Sequence, residues 1–293
     1  MAETEDKLLK GVVHPLSVVI PTLGGESLRG TIEQLNRGTL IPSEILVCIP
    51  EEDAFRVHDL CINNVILVKT KTRGQVVQRA AGFEFAKHKI VLQLDDDISI
   101  HKEAIQELTN ALQKLGTGNA LGPIYFDENL GHCVHDIKSG LSGYLRSQFY
   151  SVICGAPWNE KRMGVMTKIG LCFGVDKNYC NSEYFKTEWL PGGCVLCFKE
   201  DLIKENFFPF PGKAYSEDII HSFLRKDIGI QHWVIPGAEC ITNTMGSETL
   251  PSLILAEIRA RRYFVELCHG PVWRLTLYEN LSRIKRVLSK IVF

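Results

Sequence analysis

Short apolar runs alternate with amphipathic stretches along the first half of the chain. Each run is four to six residues long and rich in Val, Ile and Leu, a pattern typical of buried strands. The predicted strands of the first half are 16–21, 45–49, 65–68 and 89–94, and similar runs return at 193–198 and 230–235. Because they are apolar at successive positions, the first four predict a sheet that is covered on both faces.

Apolar residues spaced by three and four predict helices between and after these runs. The predicted helices are 27–35, 74–87, 105–115, 216–226, about 251–268 and 272–291. Alternating strands and helices indicate an α/β fold with a mostly parallel sheet, and ligands bind such sheets at the carboxyl ends of the strands. Pro21-Thr22, Glu51-Glu52-Asp53 and Asp95-Asp96-Asp97 are therefore expected at the ligand edge.

The stretch 125–188 shows no sustained period and is rich in Gly, Ser, Cys and aromatic residues. We interpret it as a long excursion over the ligand edge, since loops of this length in compact enzymes are commonly lids or binding loops. The predicted organisation is a tail (1–14), one half at the first strands (15–124), a second half that contains the excursion (125–250), and C-terminal helices (251–293).

Composition limits the class of protein. The 293 residues are 45% hydrophobic and 23% charged, which predicts a globular chain, and the net charge of −1 argues against a nucleic-acid partner. No apolar stretch is long enough to span a bilayer, and the acidic N-terminus lacks the pattern of a signal peptide. These features predict a cytoplasmic protein.

The ten cysteines are scattered rather than grouped into a disulfide framework. Cys194 and Cys197 lie in an apolar run, and His132-Cys133-x-His135 shows no evident fourth ligand for zinc. For both groups we favour buried structural thiols over metal or redox chemistry.

Three consecutive aspartates follow the strand at 89–94. Like charges this close repel one another, and a divalent cation relieves the repulsion. Hard oxygen ligands suit Mg²⁺ or Mn²⁺ bound together with a diphosphate. The alternative is a solvated loop in which Asp97 only starts the next helix.

The run Gly74-x4-Arg79-Ala80-x-Gly82, a strand and then Asp95-Asp96-Asp97 resembles the donor-binding half of family 2 glycosyltransferases, whose pattern is G-x4-R-N-x-G, a strand and D-x-D. Three other segments resemble, in the right order, the first strand of that family, its acceptor-side glycine motif and its catalytic acidic motif. They are 17–22, 189–193 and 216–218. The resemblance covers roughly residues 15–245. It implies a single nucleotide-sugar-binding domain of the GT-A fold, followed here by C-terminal helices.

The resemblance also implies roles on the donor side. Asp95 and Asp96 would contact the donor, and Asp95 and Asp97 would hold Mn²⁺ or Mg²⁺ at its diphosphate. Arg73 and Arg79 would contact the donor base or phosphates, the alternative being surface cations on a helix. The other donor-side residues are Pro21, Thr22 and Glu51.

On the acceptor side, Asp218 would be the general base, with Glu217 beside it in the catalytic motif. Ordinary helix capping by Ser216 is the alternative explanation of this motif. The expected acceptor-binding residues are Trp189, Gly192, Gly193, Arg259 and Arg262. The two arginines are included because Arg259-x-x-Arg262 weakly resembles a motif of processive members of the family.

Three positions depart from the family pattern. Ile49 and Pro50 stand where an aspartate usually reads the nucleobase, Ala80 replaces an asparagine, and no histidine occurs near Thr242. Uridine is therefore favoured only by its prevalence in the family, and the third metal ligand is unassigned.

The predicted function is an inverting, metal-dependent transfer of a sugar from a nucleotide-diphospho-sugar to a saccharide or lipid-linked acceptor, as in the synthesis of cell-surface polysaccharide or glycolipid. Two alternatives are a sugar-nucleotide nucleotidyltransferase and a non-catalytic binding module of the same fold. The first would need a basic phosphate loop after the first strand, where Arg29 is the first base.

The C-terminal segment 259–293 has eight basic and two acidic residues, so it carries +6 while the rest of the chain carries −7. Its last helix has an apolar stripe at Leu277, Leu281, Ile284, Leu288 and Ile291, with Arg283, Lys285, Arg286 and Lys290 beside or opposite it. This pattern predicts peripheral attachment to an anionic membrane. Packing of the stripe on the catalytic domain or in a homodimer is the alternative.

Overall fold

The computed structural model describes residues 11–137, 140–158, 162–210, 214–243 and 251–291. Most of the predicted tail, residues 1–10, lies outside the described residues. The strands are β1 (Val12–Pro21), β2 (Leu40–Pro50), β3 (Val65–Thr70), β4 (Ile90–Leu94), β5 (Ser99–Ile100), β6 (Asn119–Asp127), β7 (Phe185–Thr187), β8 (Cys194–Phe198) and β9 (Gln231–Thr242). The helices are α1 (Ser27–Arg37), α2 (Gln75–Phe85), α3 (Ala104–Leu115), α4 (Gly140–Cys154), α5 (Glu217–Asp227), α6 (Pro251–Leu267) and α7 (Val272–Ile291).

One sheet organises the described chain, in the order β3-β2-β1-β4-β8-β6-β9-β5, with β7 added beside β9. The first four strands of this order are mutually parallel. Strand β8 runs antiparallel to both of its neighbours, β4 and β6, whereas β6 and β9 are parallel. The predicted α/β architecture with C-terminal helices is confirmed, and β8 is where the second half of the chain joins the parallel first half.

Both faces of the sheet are buried at β1, β2 and β4, as the apolar strands predict. The prediction is wrong for β3, where Ile66 and Leu67 are 37% and 38% exposed because β3 lies at the end of the strand order. Along β1, Val18 and Ile20 pack on one face with α1 and α3, and Val19 packs on the other face with α2. A third cluster lies away from the sheet, where Ile220 of α5 packs with α6 and α7. The C-terminal helices are therefore attached to the domain partly through α5, which carries the predicted catalytic motif in its first turn, and partly through α4.

Four of these strands and helices were not predicted from the sequence: β5, β6, α4 and β7. Gly122 and Pro123 interrupt the apolar pattern of β6, and α4 is rich in glycine and serine. The excursion 125–188 thus contains regular elements, and it also contributes buried core residues such as Ile169 and Val175. Long-range packing supplies what the local pattern lacks, which overrides weak propensity.

The ten cysteines all fall within the described ranges and are free. Cys194 and Cys197 lie on opposite faces of β8, in two different core clusters. Opposite faces exclude a shared metal ion at this pair, in agreement with buried structural thiols. Among the described residues, no helix is both long and apolar enough to cross a membrane.

Candidate active site

The site begins where β1 and β4 end. After Pro21 closes β1, the Thr22 hydroxyl donates a hydrogen bond to the Asp96 carboxylate. The buried Gln78 side chain of α2 donates to the carbonyl oxygens of Thr22, at 2.7 Å, and Cys48, at 2.6 Å. The ends of β1, β2 and β4 are therefore held together by hydrogen bonds.

Burial raises the pKa of Asp96 above its ordinary value, and the hydrogen bond from Thr22 partly offsets this rise. The charges of Asp97 and Asp95 raise the pKa of Asp96 further, which is the repulsion expected of three adjacent carboxylates.

Asp95 is fixed from three directions. Its backbone N–H donates to the carbonyl oxygen of Gly193 at 2.8 Å. One carboxylate oxygen accepts hydrogen bonds from Gln75, at 3.0 Å, and from Arg79, at 2.6 Å. Asp97, two residues further on, is exposed.

The buried guanidinium of Arg79 joins the two sequence motifs. It is 2% exposed, and it bonds Asp95 with one nitrogen and Glu217, 138 positions away, with another. Burial by itself lowers the pKa of Arg79, but the two carboxylates outweigh this and raise it above its ordinary value. The interpretation of Arg79 as a surface cation is therefore wrong. The positive charge of Arg79 is paired with the carboxylates of Asp95 and Glu217.

The two glycines before β8 fit tightly around this ion pair. The carbonyl oxygen of Gly192 accepts hydrogen bonds from Arg79 and Gln93. A Cβ atom on Gly192 would collide with the carboxylate of Glu217, whereas one on Gly193 would lie 3.3 Å from Ile98. Position 192 therefore requires glycine, because the backbone there lies directly against the Glu217 carboxylate.

Helix α5 brings Asp218 to the same place. Ser216 has φ 56° and ψ 20°, in the left-handed region, and within the described residues its side chain makes no capping hydrogen bond. The first turn carries Glu217, which is buried, and Asp218, which is half-buried. The alternative of ordinary capping by Ser216 is not what the helix start shows.

Burial raises the pKa of Asp218 to about 7, and the neighbouring charge of Glu217 adds to the rise. The backbone N–H of Ile219 and the charge of Arg79 act in the opposite direction. A carboxyl group with a pKa near neutrality can both accept and release a proton under physiological conditions.

At the end of β2, Arg73 binds Asp53 through two hydrogen bonds of 2.9 Å and also pairs with Glu52 at 2.7 Å. Asp53 is almost fully buried, whereas Glu51 is exposed at the start of the 3-10 turn Glu51–Val57. The acid that the protein holds in a fixed position here is Asp53, two residues beyond Glu51.

The other residues predicted for the acceptor side have partners of their own. Trp189 is buried, and its indole N–H donates to the carbonyl oxygen of Phe173 at 3.1 Å. In α6, Arg262 pairs with Glu279 of α7 at 2.6 Å, and the guanidinium of Arg259 lies 5.9 Å from the centre of the Phe210 ring. None of these three contacts joins them to Asp95 or Asp218.

Carboxylate oxygens at the end of β4 fit a hard divalent cation. Asp97 is exposed, and Arg79 and Gln75 both bond Oδ1 of Asp95, so these two bonds leave Oδ2 for a ligand. A separate group, Cys133, Asp136 and Asp176, has ligand atoms within 4.8 Å of one another. Because the two oxygens of Asp176 already accept backbone N–H groups of Ile137 and Asn178, this group is explained as a loop support.

Sequence reasoning missed three glutamines that hold the site together, namely Gln75, Gln78 and Gln93. Gln93 is a polar residue inside the apolar run of β4, and Gln78 is buried on the apolar side of α2. A polar amide at such positions is itself a signal, because a buried amide needs hydrogen-bond partners.

Comparisons with known proteins agree with this geometry. The model of the family described as glycosyl transferase family 2 matches residues 17–181, more than half of the chain. Among solved structures, a crystal structure of GalNAc-T7 with UDP, GalNAc and Mn²⁺ is similar, with a TM-score of 0.59 and 16% identity. The match covers 86% of this chain and 48% of that one, so the chain spans about half of that protein's length. A search of curated proteins finds no match.

Proposed function

The chain belongs to glycosyl transferase family 2, and we propose that it is an inverting, metal-dependent glycosyltransferase that uses a nucleotide-diphospho-sugar. The observation that supports this best is the Arg79 ion pair. It places Asp95, which follows a donor-side strand, and the helix start that carries Asp218 on one guanidinium group.

Asp218 is the general base in this proposal. The acceptor hydroxyl gives its proton to the Asp218 carboxylate, the hydroxyl oxygen bonds to the anomeric carbon, and the bond from that carbon to the diphosphate breaks. Glu217 is buried against Arg79 and so acts as a positioning residue rather than as a base. The pKa of about 7 leaves a large fraction of Asp218 ionised at neutral pH.

Asp97 and Asp95 would hold Mn²⁺ or Mg²⁺. When bound, such an ion offsets negative charge that builds up on the leaving diphosphate. Arg79 orients the carboxylate of Asp95 for this task, so its contribution to donor binding is indirect. Thr22 orients Asp96 in the same way through its hydroxyl group.

For the donor we favour a uridine-diphospho-sugar, because uridine is prevalent in the family and the similar GalNAc-T7 structure contains UDP. Transfer of a hexosyl group to a saccharide or lipid-linked hydroxyl is the proposed reaction, in the synthesis of polysaccharide or glycolipid. A homodimer stays a prediction.

The nucleotidyltransferase alternative is less well supported. Arg29, the first base after β1, pairs with Asp59 at 2.6 Å rather than lying ready for a phosphate. A direct comparison is to incubate the protein with a nucleoside triphosphate and a sugar phosphate and to measure released pyrophosphate. We expect none.

The proposal is tested with a panel of nucleotide-diphospho-sugars in the presence of Mn²⁺. We expect at least one to raise the unfolding temperature and to be slowly hydrolysed, with both effects abolished by EDTA. If every nucleotide sugar leaves the unfolding temperature unchanged and is not hydrolysed, the proposed function is wrong.

A further inference from the structure

Helix α7 has two apolar faces, and only one of them packs on the protein. Leu275 is 1% exposed and lies with Tyr278 in the helical core. Trp273, Leu277 and Ile284 are 63%, 37% and 55% exposed, on another side of the helix. The apolar stripe that begins at Leu277 is therefore not the surface that holds α7 on the domain.

Helix α4 shows the same feature. Leu145, Phe149 and Val152 recur at spacings of four and three, and all three are exposed. Trp158, just beyond the helix, is 70% exposed. The two helices are in contact, and near that contact Gly155 lies directly against the guanidinium of Arg274.

The net charge near the exposed faces of α4 and α7 indicates which kind of partner they could bind, a second copy of this chain or a lipid bilayer. Segment 259–293 carries +6, and α4 contains no acidic residue. Arg261 and Arg262 pair with Glu257 and Glu279, but Arg283 is exposed, and three more bases follow it in the sequence. Two copies of such a surface would repel one another, whereas an anionic bilayer would attract it.

The side chains of part of the predicted stripe and of its basic neighbours lie outside the described residues: Lys285, Arg286, Leu288, Lys290 and Ile291. The argument therefore rests on α4, on residues 272–284 of α7 and on the sequence charge.

We propose that α4 and the first turns of α7 together form a surface that binds an anionic lipid bilayer, with Trp158 and Trp273 at the level of the headgroups. Tryptophan favours that level because its ring is apolar and its N–H is polar. The new element is α4, since the sequence indicated only the C-terminal helix.

The position of this surface suits a lipid-linked acceptor, a point that rests on the proposed function. Arg261 and Phe264 of α6 and Ile219 of α5 all pack around Gly170. Ile219 directly follows the proposed base, so α6, which packs on α7, is attached beside the proposed acceptor side of the site.

The test uses the full chain and vesicles of phosphatidylcholine, with or without phosphatidylglycerol, in a sedimentation assay. We expect binding only to the anionic vesicles, weakened by salt. The double variants Trp273→Ser/Leu277→Ser and Leu145→Ser/Phe149→Ser should each bind on the order of tenfold more weakly. Phe85→Ser, which removes a residue of similar exposure from α2, should bind like the wild type.

Thermal unfolding of each variant checks that the fold is kept, as expected for exposed positions. Failure of the wild type to bind anionic vesicles, or wild-type binding by either double variant, would overturn the proposal. So would a dimer in solution that Trp273→Ser/Leu277→Ser dissociates while vesicles are ignored. Asp218→Asn should bind vesicles normally, which separates this inference from the proposed function.

Discussion

The two parts of the site that we propose as its donor half and its acceptor half are built in different ways. In residues 15–124, parallel strands alternate with helices, and each site residue follows a strand that the local sequence predicts. In residues 125–250, antiparallel β8 is inserted into the sheet, and Glu217 reaches the site through a contact 138 positions away in the chain. Arg79 connects the two halves. From this comparison we infer that local hydrophobic patterns are enough to define the strands of the donor half. The acceptor half also depends on the buried ion pair between Arg79 and Glu217.

The largest expected effect concerns the acceptor half alone. Asp218→Asn removes the proposed base without changing the shape of the side chain, so turnover should fall about 10²- to 10⁴-fold while donor binding stays near the wild-type value. The measurement is transfer rate and donor affinity with the donor identified by the panel. A non-catalytic binding module would show no such loss.

Asp227→Asn is the matched control, because Asp227 is exposed at the end of the same helix.

The pH dependence of the transfer rate gives a second test of Asp218 as the base. Since the ionised form is the active one and the pKa of Asp218 is about 7, the wild-type rate should rise with pH and level off above that value. A rate that is flat from pH 5 to pH 9 would contradict Asp218 as the base.

Arg79→Leu should separate the two halves. It leaves Asp95 and Glu217 partly or fully buried without their counter-charge, which destabilises a protein by about 3–5 kcal/mol. Urea unfolding measures the change in the free energy of unfolding. Arg37→Leu removes an exposed arginine paired with Glu33 at 3.2 Å and should change stability by about 0.5 kcal/mol or less. Equal stability of the two variants would show that the ion pair does not connect the halves.

The same contrast explains what could be predicted from the sequence. The predicted strands 16–21 and 89–94 are apolar runs, and the structure has β1 and β4 there, with the three aspartates directly after β4. Strand β6 is interrupted by Gly122 and Pro123, and the partner of Arg79 lies 138 positions away, so neither has a local signal. A surface role for Arg79 followed from its place on a helix, whereas its actual burial depends on Glu217.

The donor half should depend on a divalent cation. A nucleoside diphosphate is negatively charged and is repelled by the three aspartates unless a cation lies between them. Removing Mn²⁺ with EDTA should therefore weaken its binding at least about tenfold, or about 1.4 kcal/mol. Calorimetry measures this directly. Asp97→Asn should reduce the dependence on Mn²⁺, while Asp136→Asn, in the separate group with Cys133 and Asp176, should leave it unchanged. Equal affinity with EDTA and with Mn²⁺ would refute the assignment.

Substitution of Gly192 and Gly193, which precede β8, tests how tightly the two halves pack against each other there. A methyl group on Gly192 would displace the Glu217 carboxylate from Arg79, so Gly192→Ala should cost about 1–3 kcal/mol of stability. Gly193→Ala places its methyl 3.3 Å from Ile98, whose side chain can shift slightly, and should cost about 1 kcal/mol or less. Thermal or urea unfolding of the pair compares them. The reverse order would mean that the Glu217 carboxylate can move freely.

The smallest effect concerns the mobility of the excursion 125–188. Part of it is anchored by buried residues such as Ile169 and Val175, but α4 within it exposes Leu145 and Phe149, and fewer buried contacts allow local opening. We therefore expect amide hydrogen exchange in 125–188 to be faster than in β4, and to slow when donor and acceptor are both bound, with a change on the order of 1 kcal/mol. The buried strand β2 is the internal control and should not respond. If the excursion exchanges slowly in the free protein and ligands leave it unchanged, it is a fixed part of the acceptor half. The difference between the halves would then lie in how they are assembled and not in how they move.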